Sequence, residues 1–255
     1  MDDIVAFNRN AWDKVATAGD RYYKAITAEQ IQQARNGTWR IRVTPTKPVP
    51  ESWLTPLENR DVLLLAAGGG QQSPIFAALG ANVTVFDVSE KQLARDIEIA
   101  DREGFDIRTV SGDMADLSAF ADESFDLVLN PCSVCYVSDV IPIWNEVYRV
   151  LRPTCTFVTG FIHPLYYVFD AAKMDRDEFE LRHKIPYADS DLGEEETELL
   201  GEDRPREFGH SLEDLIGGQL RAGFMMNDFF EDGWGGNDKL SQHINTFIAT
   251  RCRKP

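Results

Sequence analysis

The residues best suited to chemistry are a glycine turn and a carboxylate that follows it along the chain. Gly68-Gly69-Gly70 follows the apolar run 62–66 after one residue, Ala67, and Asp87 closes the next β-rich run, 17 residues after Gly70. Glycine permits the positive φ angles of a tight turn, and a helix that starts after such a turn directs free N–H groups at an anionic ligand. A carboxylate at the next strand end can accept the hydroxyl hydrogens of a ribose. The pattern therefore predicts a nucleoside-cofactor site that includes Ala67, Gly68, Gly69, Gly70, Asp87 and Val88.

Three further segments carry a resemblance to a known family. Gly112-Asp113-Met114 follows the third apolar run, the run 125–130 ends at Asn130, and Tyr148-Arg149-Val150-Leu151-Arg152-Pro153 precedes the fifth. Together with residues 66–70, these segments resemble the class I S-adenosylmethionine-dependent methyltransferases over residues 61–160 and 208–251. The resemblance implies S-adenosyl-L-methionine as cofactor and S-adenosyl-L-homocysteine as product. It also implies that Asp113 and Met114 hold the adenine and that Asn130 ends a strand beneath the reacting methyl group.

Two alternatives to a methyltransferase follow from the same segment. An NAD(P)-binding Rossmann oxidoreductase shares the glycine turn, although the third glycine of its motif falls at Ser73 and no tyrosine is followed four residues later by lysine. A non-catalytic protein that senses S-adenosylmethionine is the other alternative. It arises because Leu64 and Ala66 stand where the family often carries an acidic residue that orients the cofactor's amino group.

The elements that position these residues alternate between apolar runs and helical spacing. Strands are expected at 62–66, 82–87, 107–110, 125–130 and 154–160, with helices at 73–79, 89–103, 139–150 and 212–222 and a final strand pair at 224–231 and 243–251. Such alternation predicts an α/β fold with helices on both faces of the sheet. The family resemblance implies a Rossmann-like, seven-stranded mixed sheet of order 3-2-1-4-5-7-6 with strand 7 antiparallel.

The 89–103 helix begins with a capping-box pattern. Ser89 and Gln92 have the required spacing, and a polar contact from this pair to the cofactor is the alternative interpretation. Leu93, Ile97 and Ala100 are expected on its buried face.

Two segments lie outside the family resemblance. Residues 1–60 are predicted to form a helical and irregular cap, with helices at 6–15 and 27–34, on a methyltransferase domain at 61–255. An insertion at about 161–210 is strongly acidic, since its stretch 170–207 holds 14 acidic and 6 basic residues. A solvated surface is the ordinary interpretation of such a run, but a long insertion can also cover a site. The cap and the insertion are expected to form the acceptor pocket.

Candidate catalytic residues are few. His163 and His210 flank the insertion, where a histidine could remove a proton from an alcohol or amine, although a hydrogen-bonded structural histidine is the commoner case. Tyr136 follows the fourth strand and faces either the methyl region or the core. Cys132 and Cys135 are expected to be free thiols, because a C-x-x-C pair supplies only two zinc ligands, and no metal is predicted. An aromatic cover over the site is expected from Trp12, Tyr22 and Tyr23.

Composition restricts the class of substrate. The 255 residues include 42 acidic and 26 basic ones, a net charge of −16, so a nucleic-acid substrate is disfavoured. No apolar run reaches the ~18–20 residues that a membrane crossing needs, and four cysteines are too few for a disulfide scaffold. The sequence thus predicts a cytoplasmic monomer or homodimer. Methyl transfer to a small-molecule acceptor by direct in-line displacement is the expected reaction.

Overall fold

A computed structural model describes residues 2–18, 25–236 and 239–255, and its centre is a seven-stranded mixed sheet. The strands are β1 Asp61–Leu65, β2 Asn82–Asp87, β3 Ile107–Ser111, β4 Phe125–Asn130, β5 Leu151–Ile162, β6 Tyr187–Ala188, β7 Phe208–Gly209, β8 Met225–Asp232 and β9 Phe247–Arg253. The main sheet has the order β3-β2-β1-β4-β5-β9-β8, and β6 pairs with β7 separately. Strands β1 to β5 are parallel, while β9 is antiparallel to both of its neighbours. The predicted sheet, with its antiparallel seventh strand, is confirmed.

Helices pack around this sheet and are capped by local side chains. They are α1 Asp2–Ala18, α2 Ala28–Arg35, α3 Glu51–Leu54, α4 Ser73–Ala78, α5 Glu90–Glu103, α6 Ile141–Val150, α7 Ala171–Asp175, α8 Glu194–Leu200 and α9 Gly218–Arg221. The Ser89 hydroxyl accepts a hydrogen bond from the Gln92 N–H at the start of α5, and Gly104, with φ of 71°, ends that helix. The left-handed backbone conformation is strained for residues other than glycine. The sequence therefore sets both ends of α5, with Ser89 at its start and Gly104 at its end.

The core lies on both faces of the sheet because the side chains of a strand alternate. Val62 and Leu64 of β1 belong to one apolar cluster, whereas Leu63 and Leu65 belong to the other. The first cluster also contains Ile31, Ile41, Trp53 and other residues of the stretch 26–57. The N-terminal segment therefore shares a core with the sheet, and a domain boundary at residue 60 stays a prediction.

The insertion, which follows β5, contains buried carboxylates that form ion pairs with arginines. Arg182 contacts the carboxylates of Asp170 at 2.6 Å and Glu196 at 3.1 Å, and Arg204 contacts Asp189 at 2.7 Å. Asp170, Glu196 and Asp189 are all buried. These three carboxylates are thus compensated by arginines of the same segment, while other acidic residues of the insertion, such as Glu178, Glu194 and Glu202, are exposed.

Four boundary or burial predictions are also corrected. Ile97 is 45% exposed, because the buried face of α5 runs through Leu93, Asp96 and Ile99. The last strand begins at Phe247 rather than at 243, since the preceding residues follow a 3₁₀ turn over Leu240–Gln242. The helix expected at 212–222 contains a π-helical turn over Glu213–Gly217 before α9. Strand β5 extends to Ile162, beyond the predicted start of the insertion.

Within the described ranges, every helix lacks the combination of length and apolar character required to cross a membrane.

Candidate functional site

A pocket lies where β1, β2 and β4 end, and it is called here the strand-end pocket. Its wall includes six of the nine residues predicted to bind the cofactor, namely Ala67, Gly68, Asp87, Val88, Asp113 and Met114. The other three, Gly69, Gly70 and Asn130, are not part of the wall. The topology explains the grouping, because parallel strands bring their carboxyl ends to one edge of a sheet.

The glycine turn needs its glycines for space and for backbone angle. A Cβ on Gly68 would lie 2.9 Å from the Gln92 Cβ and 3.1 Å from an Asp87 carboxylate oxygen. Gly69 and Gly70 have φ angles of 119° and 67°, and a Cβ on Gly70 would lie 2.3 Å from the Ile99 side chain. The turn is therefore pressed against α5, which leaves its other side open to the pocket.

Asp96 of α5 fixes this turn from behind, and it was not predicted as a site residue. Its carboxylate accepts hydrogen bonds from the Gly69 N–H at 2.8 Å and from the Ser73 hydroxyl. The side chain is fully buried, and that burial raises its pKa to about 6. The only sequence signal for Asp96 was that its spacing places it on the same helical face as Leu93 and Ile99. Because charged residues are usually exposed, that signal was not enough to predict a role for it.

Asp87 lies at the end of β2 and holds the turn from the pocket side. It accepts hydrogen bonds from the N–H groups of Gly68 and Ser89, each at 2.9 Å. Burial raises its pKa in spite of these hydrogen bonds. The Val88 N–H also contributes a hydrogen bond, and since a carboxylate has about four acceptor positions, about one remains for a hydroxyl group of a ligand in the pocket.

Gln92 was predicted as half of a capping box, but its side chain lies in the pocket wall instead. The Ser89 N–H that the box requires is already donated to Asp87. The Gln92 Oε1 atom is buried beside Gly69 and has no hydrogen-bond partner among the described residues. A buried acceptor without a donor is costly, which indicates that a ligand supplies the donor.

The other end of the pocket is formed by Gly112, Asp113 and Met114. The Gly112 N–H donates to the Asp87 carbonyl at 3.0 Å, and Asp113 accepts a hydrogen bond from the Ala115 N–H at 3.0 Å. A Cβ on Gly112 would lie 2.3 Å from the Phe86 ring, which also lines the pocket. Glycine thus lets an aromatic ring reach the wall next to a carboxylate, as a purine site requires.

Helix α1 covers the pocket with Val5, Asn8 and Trp12. The Asn8 side chain donates to the Tyr136 carbonyl at 2.9 Å, and the Trp12 ring meets the Tyr136 ring edge-on at 5.0 Å. Trp12 therefore takes part in the predicted cover, whereas Tyr22 and Tyr23 lie outside the described residues.

Of the candidate catalytic residues, Tyr136 alone lines the pocket. The His163 Nδ1 atom accepts the Leu165 N–H at 3.1 Å, and the His210 Nε2 atom lies 3.1 Å from the Val134 carbonyl. Burial lowers the pKa of both histidines. Each ring is thus engaged in local structure away from the pocket wall.

Asn130 and the two cysteines lie near the pocket in different ways. The Asn130 amide donates to the Leu65 carbonyl and the Ser133 hydroxyl and accepts from Thr159, so its groups hold three elements together. Cys132 lines the pocket, and Cys135 is buried behind it. Both are free thiols, and the neighbouring Cys132 raises the pKa of Cys135.

The sheet order, the glycine turn and the acidic end of β2 together define a class I S-adenosylmethionine-dependent methyltransferase, and this chain belongs to that family. A family model described as a methyltransferase domain matches residues 63–159. The methyltransferase YbaJ of Bacillus subtilis (strain 168) is 46% identical over 256 residues, which cover the whole of both chains. The chain is accordingly an enzyme of the methyltransferase class, and the predicted family is confirmed.

Solved structures agree on the fold. An S-adenosylmethionine-dependent methyltransferase from Mesorhizobium loti superimposes with a TM-score of 0.62 at 18% identity, covering 80% of this chain and 94% of that one. A structure that describes conversion of a disulfide bond into a thioacetal group during echinomycin biosynthesis has a TM-score of 0.56 at 16% identity and covers 96% of this chain and 92% of its own. At such identities these similarities concern the fold alone.

Proposed function

We propose that the strand-end pocket binds S-adenosyl-L-methionine and that the enzyme transfers its methyl group to a small-molecule acceptor in the cytoplasm. The observation that carries this proposal is the Gln92 Oε1 atom, which has no hydrogen-bond partner among the described residues and is buried in one pocket with Asp87 and the glycine turn. These groups fit an adenosine, because two adjacent hydroxyl donors would satisfy the carboxylate and the amide together.

Each end of the pocket suits one part of the cofactor. Asp87 and Gln92 would hold the ribose, and Asp113 with the Met114 N–H would hold the adenine. The backbone of Ala67 and Gly68 would lie under the amino-acid end, with Gly69 and Gly70 fixed behind it by Asp96. When bound, the cofactor supplies an electrophilic methyl group on a positively charged sulfur.

The residues of this chain would contribute mainly by positioning and by excluding water. Helix α1 closes the pocket on one side, and the loop at Pro131, Cys132 and Tyr136 borders it on another. Direct in-line displacement needs the acceptor atom opposite the sulfur, and holding two reactants in that geometry can account for much of the rate enhancement. His163 and His210 do not line this pocket, so neither is assigned as a general base.

Calorimetric titration with S-adenosylhomocysteine tests the binding half of the proposal. Replacing Asp87 by alanine should weaken binding about 100-fold, since it removes charge-assisted hydrogen bonds and loosens the turn. The variant Asp113→Ala should weaken it by about tenfold. Asp101→Ala, an exposed aspartate of α5, is the matched control and should leave binding unchanged.

The enzymatic half is tested with methyl-labelled S-adenosylmethionine and a metabolite extract. Transfer of label to a small molecule supports the proposal, and loss of that transfer in Asp87→Ala ties it to this pocket. Binding without transfer to any component of the extract would instead favour the sensor alternative. Failure of the wild-type protein to bind either form of the cofactor would contradict the proposal as a whole.

A further inference from the structure

A second cavity opens beside the strand-end pocket and is called here the acceptor chamber. It has a volume of about 630 Å³, within the range of small-molecule sites. The two spaces share wall residues, including Gln72, Cys132 and Tyr136. The chamber therefore adjoins the strand-end pocket at these shared residues.

Two arginines of the N-terminal segment line this chamber. Arg40 and Arg42 flank Ile41, which is fully buried, so the extended backbone turns both arginines to the opposite side. The Arg42 N–H donates to the Gln72 side chain at 3.0 Å, and the Arg42 Nε atom donates to the Thr46 carbonyl at 3.1 Å. These hydrogen bonds place Arg42 next to the wall that the two spaces share.

Neither arginine forms an ion pair within the described part of the chain. The chain carries 42 acidic residues against 26 basic ones, and arginines elsewhere, such as Arg149, Arg182 and Arg204, contact carboxylates. Arg40 and Arg42 are both exposed and, like Arg251 and Arg253, lack such a contact among the described residues. A planar guanidinium donates in pairs to a carboxylate, so these side chains suit an organic anion.

Aromatic side chains form part of the remaining wall. Tyr166, Trp234 and Phe247 line the chamber, and the rings of Trp234 and Phe247 meet edge-on at 4.8 Å. Such walls favour a flat, apolar body. Glu207 also borders the chamber, but its carboxylate is engaged by the Tyr167 hydroxyl at 2.9 Å and by Arg204 at 3.3 Å. An anion would accordingly bind at the Arg40 and Arg42 side, away from Glu207.

We propose that the acceptor is a small aromatic carboxylic acid whose carboxylate binds Arg40 and Arg42 and whose ring lies against Tyr166 and Trp234. This inference rests on the proposed function, because it assigns the chamber to the substrate of the same methyl transfer. It names the chemical class of that substrate and the residues that select it.

The test uses 2-naphthoate and its neutral analogue 2-naphthamide as probes. Each is titrated calorimetrically into the wild-type protein, both alone and saturated with S-adenosylhomocysteine. Naphthoate should bind about tenfold more tightly than naphthamide, because the charge-assisted hydrogen bonds are absent from the amide. The double variant Arg40→Gln/Arg42→Gln should remove this preference and leave naphthamide binding unchanged. Arg108→Gln, at the opposite end of the sheet, is the matched control and should preserve it.

Folding and the proposed function are checked separately from this inference. Circular dichroism and S-adenosylhomocysteine affinity should be the same in the double variant and in wild type, and the single variant Arg40→Gln provides a milder change. Equal affinity for the two probes, no binding of either at millimolar concentration, or a preference that survives in the double variant would overturn the inference. Failure to bind S-adenosylhomocysteine would instead count against the proposed function.

Discussion

The strand-end pocket and the insertion both bury carboxylates, but they satisfy them with different partners. Asp87 in the pocket wall and Asp96 behind the glycine turn accept hydrogen bonds from backbone N–H groups and a hydroxyl. In the insertion, Asp189 and Glu196 are paired with arginines. Burial raises the pKa of both aspartates, whose hydrogen-bond partners are all neutral. The pocket therefore keeps acceptor capacity for a ligand, whereas the insertion uses its charges to hold its own loops together.

The largest expected effect tests whether arginine pairing maintains the insertion. Arg204→Met removes the cation from Asp189, whose side chain is fully buried. Loss of one partner of a buried pair costs about 3–5 kcal/mol, so the insertion should open locally. Hydrogen exchange should accelerate at two backbone amides. In the wild-type protein, the Asp189 N–H donates to the Glu207 carbonyl and the Glu207 N–H donates to the Asp189 carboxylate.

The same variant also tests whether the two regions are independent. S-adenosylhomocysteine affinity should change less than threefold, and β1 to β4 should keep their protection from exchange. Arg176→Met, which removes an exposed arginine from the same insertion, is the control. If Arg204→Met lowers cofactor affinity as strongly as Asp87→Ala does, the separation drawn between the two regions is wrong.

The second prediction concerns the pH dependence of stability in the pocket. Burial raises the pKa of Asp96 from 3.8 to about 6 on folding. Its protonated form therefore stabilises the fold, and this contribution is complete below pH 3.8 and is lost as the pH rises through 6. Two pKa units correspond to about 3 kcal/mol. Urea unfolding of wild type and Asp96→Asn from pH 4 to pH 7 should show wild type losing about this much relative to the variant.

A parallel pH response in the two proteins would show that Asp96 is not the titrating group. Asp87 is present in both proteins, so its own titration largely cancels in the comparison. The insertion provides a contrast, because the hydrogen bond from the Lys173 N–H and the contact with Arg182 lower the pKa of Asp170 there.

Much of the fold was predictable because its signals are local. Strand β2 was predicted with its observed bounds, and Ser89 and Gly104 mark the ends of α5. The predictions failed where tertiary contacts decide the outcome. Ile97 was expected inside because its spacing allowed it, but Asp96 occupies that face since the glycine turn needs its hydrogen bonds.

The site was predictable where backbone geometry alone defines it. The glycine turn, Asp87 and the 112–114 segment follow strand ends, so their convergence follows from topology. For Gln92, a contact with the cofactor was only the alternative to a capping box, because that box is a local pattern and only the structure shows that Asp87 takes the Ser89 N–H. Arg40 and Arg42 carry no motif at all, and their position depends on how the N-terminal segment packs.

The third prediction concerns the Gln92 side chain, which lies in the wall of the strand-end pocket. Gln92→Ala should weaken S-adenosylhomocysteine binding about tenfold while leaving stability nearly unchanged, because Gln92 Oε1 has no partner among the described residues to lose. Gln32→Ala is the matched control, since Gln32 is exposed on α2 and contacts Asn36. Equal binding by both variants would remove Gln92 from the cofactor site.

The smallest expected effect separates two contacts that join α1 to the insertion. The Lys14–Asp203 pair is short, at 2.6 Å, but its side chains are 62% and 81% exposed. Asn8 is buried, and its amide bonds with the Arg206 backbone at 2.7 and 3.1 Å. Solvent screens an exposed pair, so Lys14→Ala should change the free energy of unfolding by less than about 0.5 kcal/mol, against about 1.5 kcal/mol for Asn8→Ala.

The rate of S-adenosylhomocysteine release extends this comparison to the cofactor. Asn8 lines the strand-end pocket, so Asn8→Ala should speed release by loosening α1, whereas Lys14→Ala should not. Raising the salt concentration should leave the Asn8→Ala effect intact, because neutral hydrogen bonds are not screened. If Lys14→Ala speeds release as much as Asn8→Ala, the cover is held by surface charge, and the insertion then controls the pocket through its acidity rather than through the Arg206 backbone.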